Sequence, residues 1–221
     1  MRDLSSTSFG ILGLLAVRPW SAYELSKQVK RSLAYYWPRA ERGIYDEPKK
    51  LVAHGLATAT TEANGDRTRT VYTITRRGRA ALRHWLREPS APPRFESEAI
   101  LRMTFAENGT KDDLLAAIRS VREHADVLRT RAEAIIRGYA EGRGPFPQRV
   151  HINALTGKFN ISYVSMLERW AEWAEELVMT QWTDTRSPEG FPGAMALFGA
   201  MLDELTASAT DPMSDRMDVR R

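Results

Sequence analysis

A helix followed by a β-hairpin, within residues 39–78, is the pattern that most constrains the fold of this chain. A basic stretch with regularly placed apolar residues ends at Gly55, and a glycine after basic residues is typical of a helix C-terminus. Two β-prone runs then flank Asn64 and Gly65, a pair that favours a tight hairpin turn. The pattern predicts a helix, two strands and a further helix that begins at Thr75.

Alternation supports the second strand, because Val71 would lie on one face of it and Tyr72 and Ile74 on the other. Two arginines near the hairpin tip would add little to a core: Arg67 and Arg69. One interpretation is a solvated hairpin with ordinary surface arginines. The distribution of charge along the chain favours a functional role instead.

Charge is divided unequally between the two halves of this 221-residue chain, whose formal net charge is +4. Residues 1–90 contain 16 Lys and Arg against 8 Asp and Glu, whereas the remaining residues contain 16 against 20. A basic half suits nucleic-acid binding, because much of that affinity comes from counterions released by phosphate. An acidic half suits contact with protein.

Several bulk features bear on location. The chain has no cysteine, which excludes disulfides and thiolate zinc sites and fits a reducing cytosol. The apolar run at residues 9–17 is short, contains two glycines and continues into a patterned helix, which disfavours a secretory signal. No stretch approaches membrane-spanning length. We expect a soluble, cytoplasmic protein with no membrane partner.

Three helices are predicted before the hairpin. Residues 6–17 form the first; Ser21 and Glu24 form a capping box that begins the second, which extends to about residue 32; and residues 39–54 form the third. Three helices followed by a hairpin is the element order of a winged helix-turn-helix, in which the third helix enters a DNA groove and the hairpin is the wing.

A set of short motifs occurs in order and without gaps over residues 8–88. These are Ser21-Ala22-Tyr23-Glu24-Leu25, Gly43-Ile44-Tyr45, Lys49-Lys50-Leu51, Gly55-Leu56, Tyr72-Thr73-Ile74-Thr75 and Gly78. Together they resemble the PadR family of bacterial transcriptional regulators, and the helical second half resembles its larger subfamily, which includes virulence activators similar to AphA. The resemblance implies a homodimeric DNA-binding regulator, usually a repressor, whose third helix reads the major groove.

The chain departs from the family pattern directly after Tyr45. The family usually has proline and leucine where this chain has Asp46 and Pro48. Either the third helix bends at Pro48, or it begins near Asp46 with aspartate as its cap and proline in its first turn. Asp46 and Glu47 would repel phosphate, so we expect capping or solvent roles for them, although a carboxylate could also accept from a cytosine amino group. Base reading by residues 46–48 stays open.

Nine residues are the candidate DNA contacts. Those on the second helix would position it on the DNA backbone, those around the third would face the groove, and those on the hairpin would serve the wing. They are Ser21, Tyr23 and Lys27; Arg39, Arg42, Tyr45 and Lys49; and Arg67 and Arg69.

A fourth helix is predicted from Thr75 to about residue 88. Its arginines favour a solvated face, with Arg76 or Arg77 as candidates for phosphate contact. Its apolar face would consist of Leu82, Trp85 and Leu86. The proline-rich residues 89–93 form a stiff linker, so we expect domains at residues 1–90 and 95–205.

A heptad pattern dominates the second half and begins at Thr110. Its members are Leu114, Ile118, Val121, Ala125, Leu128, Ala132, Ile135 and Tyr139. A second long helix covers residues 149–181, and its broad apolar face consists of Leu155, Phe159, Tyr163, Met166, Leu167, Trp170, Trp173 and Leu177.

Two such helices predict an antiparallel hairpin that needs a further apolar partner. Either residues 100–105 and a later helix close an intramolecular bundle, or a second copy forms an intertwined dimer, which we favour because palindromic DNA sites require a two-fold. The candidate dimer contacts are Leu114, Ile118, Val121, Leu128, Ile135, Phe159, Met166 and Trp170. An apolar helix is expected at residues 192–205, followed by a disordered tail at residues 206–221.

The chain contains no recognisable catalytic, metal or cofactor motif, so we expect neither an enzyme nor a resident cofactor. The expected fold is mainly α: an N-terminal winged helix-turn-helix and a C-terminal long-helix dimerisation domain. The expected partners are palindromic double-stranded DNA, a second copy and, as the resemblance implies for some members, a small aromatic effector. Its candidate lining comprises Tyr35, Tyr36, Trp37, Phe159, Tyr163 and Trp170.

Two other functions compete with the DNA-binding regulator. One is a protein-interaction adaptor whose winged helix has lost DNA binding, suggested by Asp46, Glu47 and Pro48. The other is a ligand carrier, which needs an apolar pocket but no basic face. The operator, the regulated genes, the direction of regulation and the identity of an effector cannot be derived from the sequence.

Overall fold

Two compact units make up the chain. The computed structural model describes residues 4–64 and 67–210. One unit covers Met1–Arg94 and the other Phe95–Arg221. Both contain helices, and the strands found in the described residues all belong to the first unit.

The first unit contains five helices and three strands among its described residues. In chain order they are α1 (Ser6–Val17), β1 (Trp20–Ser21), α2 (Ala22–Arg31), α3 (Arg39–Arg42), α4 (Glu47–Ala53), β2 (Ala57–Asn64), β3 (Arg67–Ile74) and α5 (Arg76–Trp85). The predicted order of helices and hairpin is confirmed. The predicted turn at Asn64 and Gly65 falls partly outside the described residues.

Helix α1 forms the centre of this unit because one side of it is almost wholly apolar. Ile11, Leu12 and Leu15 are fully buried and pack with the helices and the sheet around them. Phe9 also stacks on Trp85 of α5, with ring centroids 5.2 Å apart. Such close-packed apolar contacts hold the surrounding elements in fixed positions.

The sheet has the order β1-β3-β2 and is antiparallel throughout. The short strand β1 was not predicted, because two residues are too few to show an alternation of apolar and polar side chains. Trp20 pairs with Tyr72 in the register and donates its indole N–H to the carbonyl oxygen of Leu14 at 2.8 Å. Val71 is buried as well as Tyr72, because β3 is the central strand and both α1 and α2 contact it.

The predicted third helix is divided in two. Helix α3 ends at Gly43 and α4 begins after Asp46, with Pro48 in its first turn, where a missing N–H has no cost. The alternative with a helix start near Asp46 is therefore confirmed, and a continuous helix over residues 39–54 is wrong. The Asp46 side chain makes no capping hydrogen bond.

The junction between α4, the wing and α5 is fixed by two glycines and a threonine. Gly55 ends α4 with φ +69°, as its position predicted. Thr75 caps α5 by accepting from the Gly78 N–H at 2.9 Å, and its hydroxyl donates to the Gly55 carbonyl at 2.8 Å. A Cβ on Gly78 would lie 2.1 Å from the carbonyl oxygen of Leu56, so only glycine fits there. The predicted extension of α5 to residue 88 is wrong, and Leu86 is exposed.

Up to residue 210, the last one described, the second unit contains four α-helices. They are α6 (Glu98–Met103), α7 (Lys111–Ala140), α8 (Val150–Gln181) and α9 (Ala194–Thr210). Thr110 begins α7 with a reciprocal capping box to Asp113, as predicted. Helices α7 and α8 pack against each other as the main contact of the unit.

The heptad residues of α7 are covered by the same chain. Leu114, Ile118, Val121 and Leu128 are buried against a stripe on α8 that consists of Val164, Leu167, Ala171, Ala174 and Val178. The prediction that these four α7 residues contact a second copy is therefore not what the structure shows. Heptad spacing reports an apolar stripe, and it does not distinguish a helix of the same chain from a helix of another.

Charged side chains of α7 reach across to α8 beside the apolar seam. Arg119 and Arg122 each donate to the carboxylate of Glu175 at 2.6 Å. Arg129 likewise donates through two nitrogens to both oxygens of Glu168. The hydrogen bond from Arg119 holds the pKa of Glu175 below its usual range against the opposing effect of desolvation, and the positive charge of Arg122 adds to the lowering.

The segment between α8 and α9 returns to the end of α8. The Phe191 ring stacks on Trp182 with centroids 5.1 Å apart, and the Thr183 N–H donates to the carbonyl oxygen of Gly190 at 2.8 Å. Helix α9 then extends to Thr210, beyond the predicted end at residue 205, so residues 206–210 are helical rather than disordered. The rest of the predicted tail, residues 211–221, lies outside the described residues. In the described part of the chain, no helix combines the length and apolarity needed to cross a membrane.

Replacing Glu175 by glutamine should make the second unit less sensitive to acid. A carboxylate with a lowered folded-state pKa stabilises the fold above its unfolded pKa, about 4.3, and loses this contribution as the pH falls through the folded value. We expect Glu175→Gln to melt below the wild type at pH 7 and the difference to shrink as the pH falls through the lowered pKa of Glu175. Circular dichroism melting at several pH values measures this. Glu172→Gln, at an exposed position on the same helix, is the control, and a pH-independent difference would contradict the prediction.

Candidate nucleic-acid interface

The first turn of α2 is fixed by its own capping box. Ser21 accepts from the Glu24 N–H and donates its hydroxyl to the Glu24 carboxylate at 2.8 Å, while that carboxylate accepts from the Ser21 N–H at 2.9 Å. Ser21 is therefore buried and fully engaged within the protein. Its proposed contact with the DNA backbone is corrected: Ser21 begins the helix, and the outward residues remain as candidates for contact.

The outward face of α2 carries an aromatic residue and a cation one turn apart. Tyr23 is 63% exposed, and the ammonium of Lys27 lies 4.5 Å from the centre of its ring. Leu25 and Val29 on the opposite face are fully buried. The helix is thus held by its apolar side and presents a preorganised tyrosine and lysine to solvent, a combination that suits phosphate contact.

The segment around α3 and α4 presents the other predicted contacts. Arg39 and Arg42 of α3 are exposed, and so is Tyr45, at 58%, in the turn between the helices. Lys49 of α4 is exposed, with its ammonium 3.5 Å from an Asp46 carboxylate oxygen. All four therefore lie at the surface of the segment predicted to enter a groove, but one of the cations is partly neutralised by a neighbour.

Glu47 is the functional surprise of this segment. It is only 6% exposed, accepts from the Ser8 hydroxyl at 2.5 Å, and accepts from the Lys50 ammonium at 2.9 Å. The predicted alternatives, capping and base contact, are both wrong for Glu47, because its carboxylate points into the unit and joins α4 to α1. In the sequence, the only signals of this buried contact are a polar Ser8 within an apolar helix and an acid, Glu47, in a basic segment.

The wing pairs its charges across the strands. Glu62 lies opposite Arg69 in the register, and the guanidinium donates to the carboxylate at 3.1 Å. Arg69 is exposed at its side chain, so it can meet phosphate, although with part of its charge compensated. The side chain of Arg67 lies outside the described residues, so its role on the wing stays a prediction.

The predicted effector lining falls in two different units. Trp37 belongs to the first unit, where it is exposed and its indole N–H donates to the Thr7 hydroxyl at 2.9 Å. Phe159 and Tyr163 belong to the second unit. A separate open cavity of about 590 Å³ lies between α6 and α7, and its lining includes Met103, Phe105 and Leu114. The aromatic pocket therefore stays a prediction.

The other predicted contacts can be placed in their units. Arg76 and Arg77 are exposed at the start of α5. Of the predicted dimer contacts on α8, Phe159 and Met166 are exposed and Trp170 is half-buried; Ile135 on α7 is also half-buried. No group of three or more His, Asp or Glu residues capable of holding a metal occurs within residues 4–64 and 67–210.

The helices α1 and α2, the divided third helix α3–α4, a short strand and a two-stranded wing define the first unit as a winged helix-turn-helix. Residues 11–84 match the family model described as "Transcriptional regulator PadR-like family". The chain therefore carries a PadR-like domain, and the family resemblance of its motifs is confirmed.

Curated relatives agree with this result over part of their length. The "Negative transcriptional regulator PadR" of Bacillus subtilis is 32% identical over 99 residues, which are 44% of this chain and 54% of that protein. The chain thus covers about half the length of the curated relatives that it matches.

Solved structures share the fold over most of the chain. The smu.1604c protein of Streptococcus mutans superposes with a TM-score of 0.66 and 24% identity, covering 77% of this chain and 97% of that one. Bacillus subtilis PadR in complex with operator DNA superposes with a TM-score of 0.57 and 24% identity, covering 77% of this chain and 99% of that one. For the Vibrio cholerae virulence activator AphA the TM-score is 0.53 at 22% identity, with 78% of this chain and 96% of that one covered. The predicted fold, a winged helix-turn-helix with long C-terminal helices, is confirmed.

Removing the Ser8 hydroxyl should destabilise the first unit through Glu47. Ser8→Ala leaves a buried carboxylate oxygen without its donor, which costs about 1–3 kcal/mol. Adding Glu47→Met removes the buried charge, so the double variant should be more stable than Ser8→Ala alone. Urea unfolding followed by circular dichroism measures both.

Ser5→Ala is the matched control, since it removes the other half of the α1 capping box and leaves the bond to Glu47. We expect it to cost about 1 kcal/mol. Equal losses for Ser5→Ala and Ser8→Ala, with no recovery in the double variant, would show that Glu47 does not depend on Ser8.

Proposed function

We propose that this protein is a sequence-specific DNA-binding transcriptional regulator that acts as a homodimeric repressor on a roughly palindromic operator. The observation that carries the proposal is the outward face of α2, α3 and α4 in a PadR-like domain: Tyr23, Lys27, Arg42 and Tyr45 are exposed there, while the apolar sides of the same segment are buried. Cations and tyrosines on an exposed helical face are the groups that bind DNA backbones and groove edges.

The proposed complex assigns different roles to the elements. Helix α2 lies against the backbone, where Tyr23 and Lys27 meet phosphate. The segment of α3 and α4 enters the major groove with Arg39, Arg42 and Tyr45, and Lys49 follows on α4. The wing contacts the adjacent backbone through Arg69, together with the predicted Arg67.

The exposed carboxylate of Asp46 beside Lys49 restricts what the groove segment can do. A lysine already paired with a carboxylate releases less counterion from DNA than a lone lysine. We therefore assign the contacts with DNA in this segment chiefly to Tyr45 and Arg42. Glu47, being buried, makes no base contact in this proposal and orients α4 instead.

The relatives support both the DNA target and the sign of regulation. One relative is named a negative transcriptional regulator, and its structure has been solved in complex with operator DNA. By this similarity we propose repression as the activity and double-stranded DNA in the cytoplasm as the target. A small aromatic effector that releases the DNA is proposed on the family resemblance alone, and it implies no catalysis by this chain.

The homodimer is proposed from the surface of the second unit, which we assign as the dimerisation domain. Leu155 and Phe159 on α8 are 72% and 63% exposed, and further apolar side chains are exposed on α9. Exposed apolar surface of this extent marks an interaction site. A two-fold dimer would also match two operator half-sites, which a single winged helix cannot read together.

The competing adaptor function rests on the same pairs that weaken the basic face. Asp46 beside Lys49 and Glu62 beside Arg69 would suit a protein surface of mixed charge. Binding measurements at several salt concentrations separate the two functions, because a DNA complex weakens steeply with salt.

Removing cations from α2 and α3 should flatten the salt dependence of DNA binding. We expect Lys27→Gln with Arg42→Gln to weaken binding and to reduce the slope of log affinity against log salt by roughly 2, about 0.9 for each lost phosphate contact. Fluorescence anisotropy on a duplex that the wild-type protein selects from genomic fragments measures this. Arg69→Gln should change the slope less, because Glu62 already compensates part of its charge.

Arg131→Gln with Arg137→Gln, at exposed positions of α7 in the second unit, is the control of equal charge change. It should leave the slope unchanged, since it lies outside the winged helix. If the Lys27→Gln, Arg42→Gln variant keeps the wild-type slope of log affinity against log salt, the DNA binds elsewhere on the protein. If the wild-type protein selects no duplex at all, the adaptor function is favoured.

A further inference from the structure

Helix α9 presents an apolar face that nothing in the described chain buries. Met195, Phe198, Leu202 and Leu205 follow one another at heptad spacing, with Met195 79% and Leu205 71% exposed. None of residues 194–207 is buried. An isolated helix of this length is marginal in water, because helices in proteins gain most of their stability from packing. The face of α9 therefore requires a partner.

A second unburied stripe lies on α8. Ile152, Leu155, Phe159, Met166 and Trp173 are all exposed and fall at multiples of heptad spacing. This stripe is rotated by roughly 110° about the helix axis from the one that packs on α7, given about 100° per residue. Helix α8 thus has two apolar stripes, and its own hairpin with α7 uses one of them. The exposed stripe has the same period as the face of α9, so the two can interdigitate as knobs into holes.

The two helices carry opposite net charge. The charged residues within α9 are Asp203 and Glu204, both acidic. They stand three and four residues after Ala200, on the side of α9 away from its apolar face, and so leave that face free of charge. The first half of α8, residues 150–167, has Lys158 and His151 and no acid at all, and Arg149 precedes it. The attraction between a net negative and a net positive helix favours this pairing over two acidic α9 helices side by side.

The α9 of the same chain is too short to cover the first half of the exposed stripe. The stacked rings of Trp182 and Phe191, and the hydrogen bond from the Ala194 N–H to the Phe191 carbonyl at 3.2 Å, hold the start of α9 near the end of α8. From there its apolar face, which ends at Leu205, extends roughly 17 Å along the helix axis, at about 1.5 Å per residue. Phe159 and Leu155 lie about 34 and 40 Å from Trp182 on the same scale.

We infer that α9 of one copy docks on the first half of α8 of a second copy. An antiparallel two-fold places the end of one α8 beside the start of the other, so each α9 meets Leu155 and Phe159 across the symmetry axis. The two exchanged arms then bury the apolar face of each α9 and the first half of the exposed stripe of each α8 at once. The inference rests on the homodimer of the proposed function and names the surfaces that form it.

Cross-linking between two differently tagged copies tests this contact directly. The chain has no cysteine, so introduced thiols react without background. One copy carries Leu155→Cys on α8 and the other Leu202→Cys on α9, and a short bis-maleimide is added to the mixed full-length chains. We expect a cross-linked heterodimer from this pair, and at least about tenfold less from Leu155→Cys mixed with Ala200→Cys, which lies on the opposite face of α9.

Sedimentation of the same samples separates the two proposals. If the protein is a dimer but the Leu202→Cys and Ala200→Cys copies cross-link equally or not at all, the exchange of α9 is overturned and the homodimer is retained. A monomer at every concentration would overturn both.

Charge placed on the two faces of α9 provides a second readout. Phe198→Glu with Leu202→Glu should raise the dimer dissociation constant at least about tenfold, whereas Ala196→Glu with Ala200→Glu, the same charges on the opposite face, should leave it near the wild-type value. Equal dissociation constants for the two variants would count against docking through the apolar face.

Discussion

The hydrogen bond from Ser8 to the buried carboxylate of Glu47 is the contact on which the geometry of the winged helix depends. It joins the first turn of the central helix α1 to the first turn of α4. Because α1 also packs against β3 and α5, this polar contact, added to the apolar packing of Leu51 and Pro48, orients α4 relative to the whole unit. A buried acceptor is costly unless it has its donor, so this contact favours one arrangement of α4 over its neighbours.

Polar anchoring of α4 also explains how the chain accommodates its unusual Asp46-Glu47-Pro48 sequence. Pro48 starts the helix, Glu47 turns inward, and Asp46 stays at the surface beside Lys49. Three residues that would conflict within a continuous groove helix therefore have separate and compatible positions. The division of the expected helix into α3 and α4 is the structural result, and it leaves Tyr45 in the exposed turn between them.

Local chemistry made much of the fold predictable. The capping residues Ser21, Thr75 and Thr110 begin the helices assigned to them, because a cap depends on neighbours only three residues away. The burial of Glu47 was not predictable, since its partner lies 39 residues away in sequence.

The heptad pattern of α7 likewise shows that a sequence pattern does not identify a packing partner that is distant in sequence. Its period identified the apolar stripe, but the choice between α8 of the same chain and a second copy depends on tertiary packing. For the candidate site, exposure of Tyr23, Lys27 and Tyr45 agrees with the outward positions expected of them. The engagement of Ser21 with Glu24 follows from the capping box that the sequence shows, whereas the pairing of Arg69 with Glu62 depends on the strand register.

The paired charges of the groove segment and the wing have a kinetic consequence. Lys49 with Asp46 and Arg69 with Glu62 act at a distance as small dipoles, whose fields decay faster than those of single charges and are largely screened beyond a Debye length of about 8 Å in physiological salt. Diffusional capture of a polyanion would therefore be governed by the cationic side chains of α2, α3 and α5. The groove segment and wing would act only at short range, so the speed of the encounter and the selection among sites would be controlled by different residues.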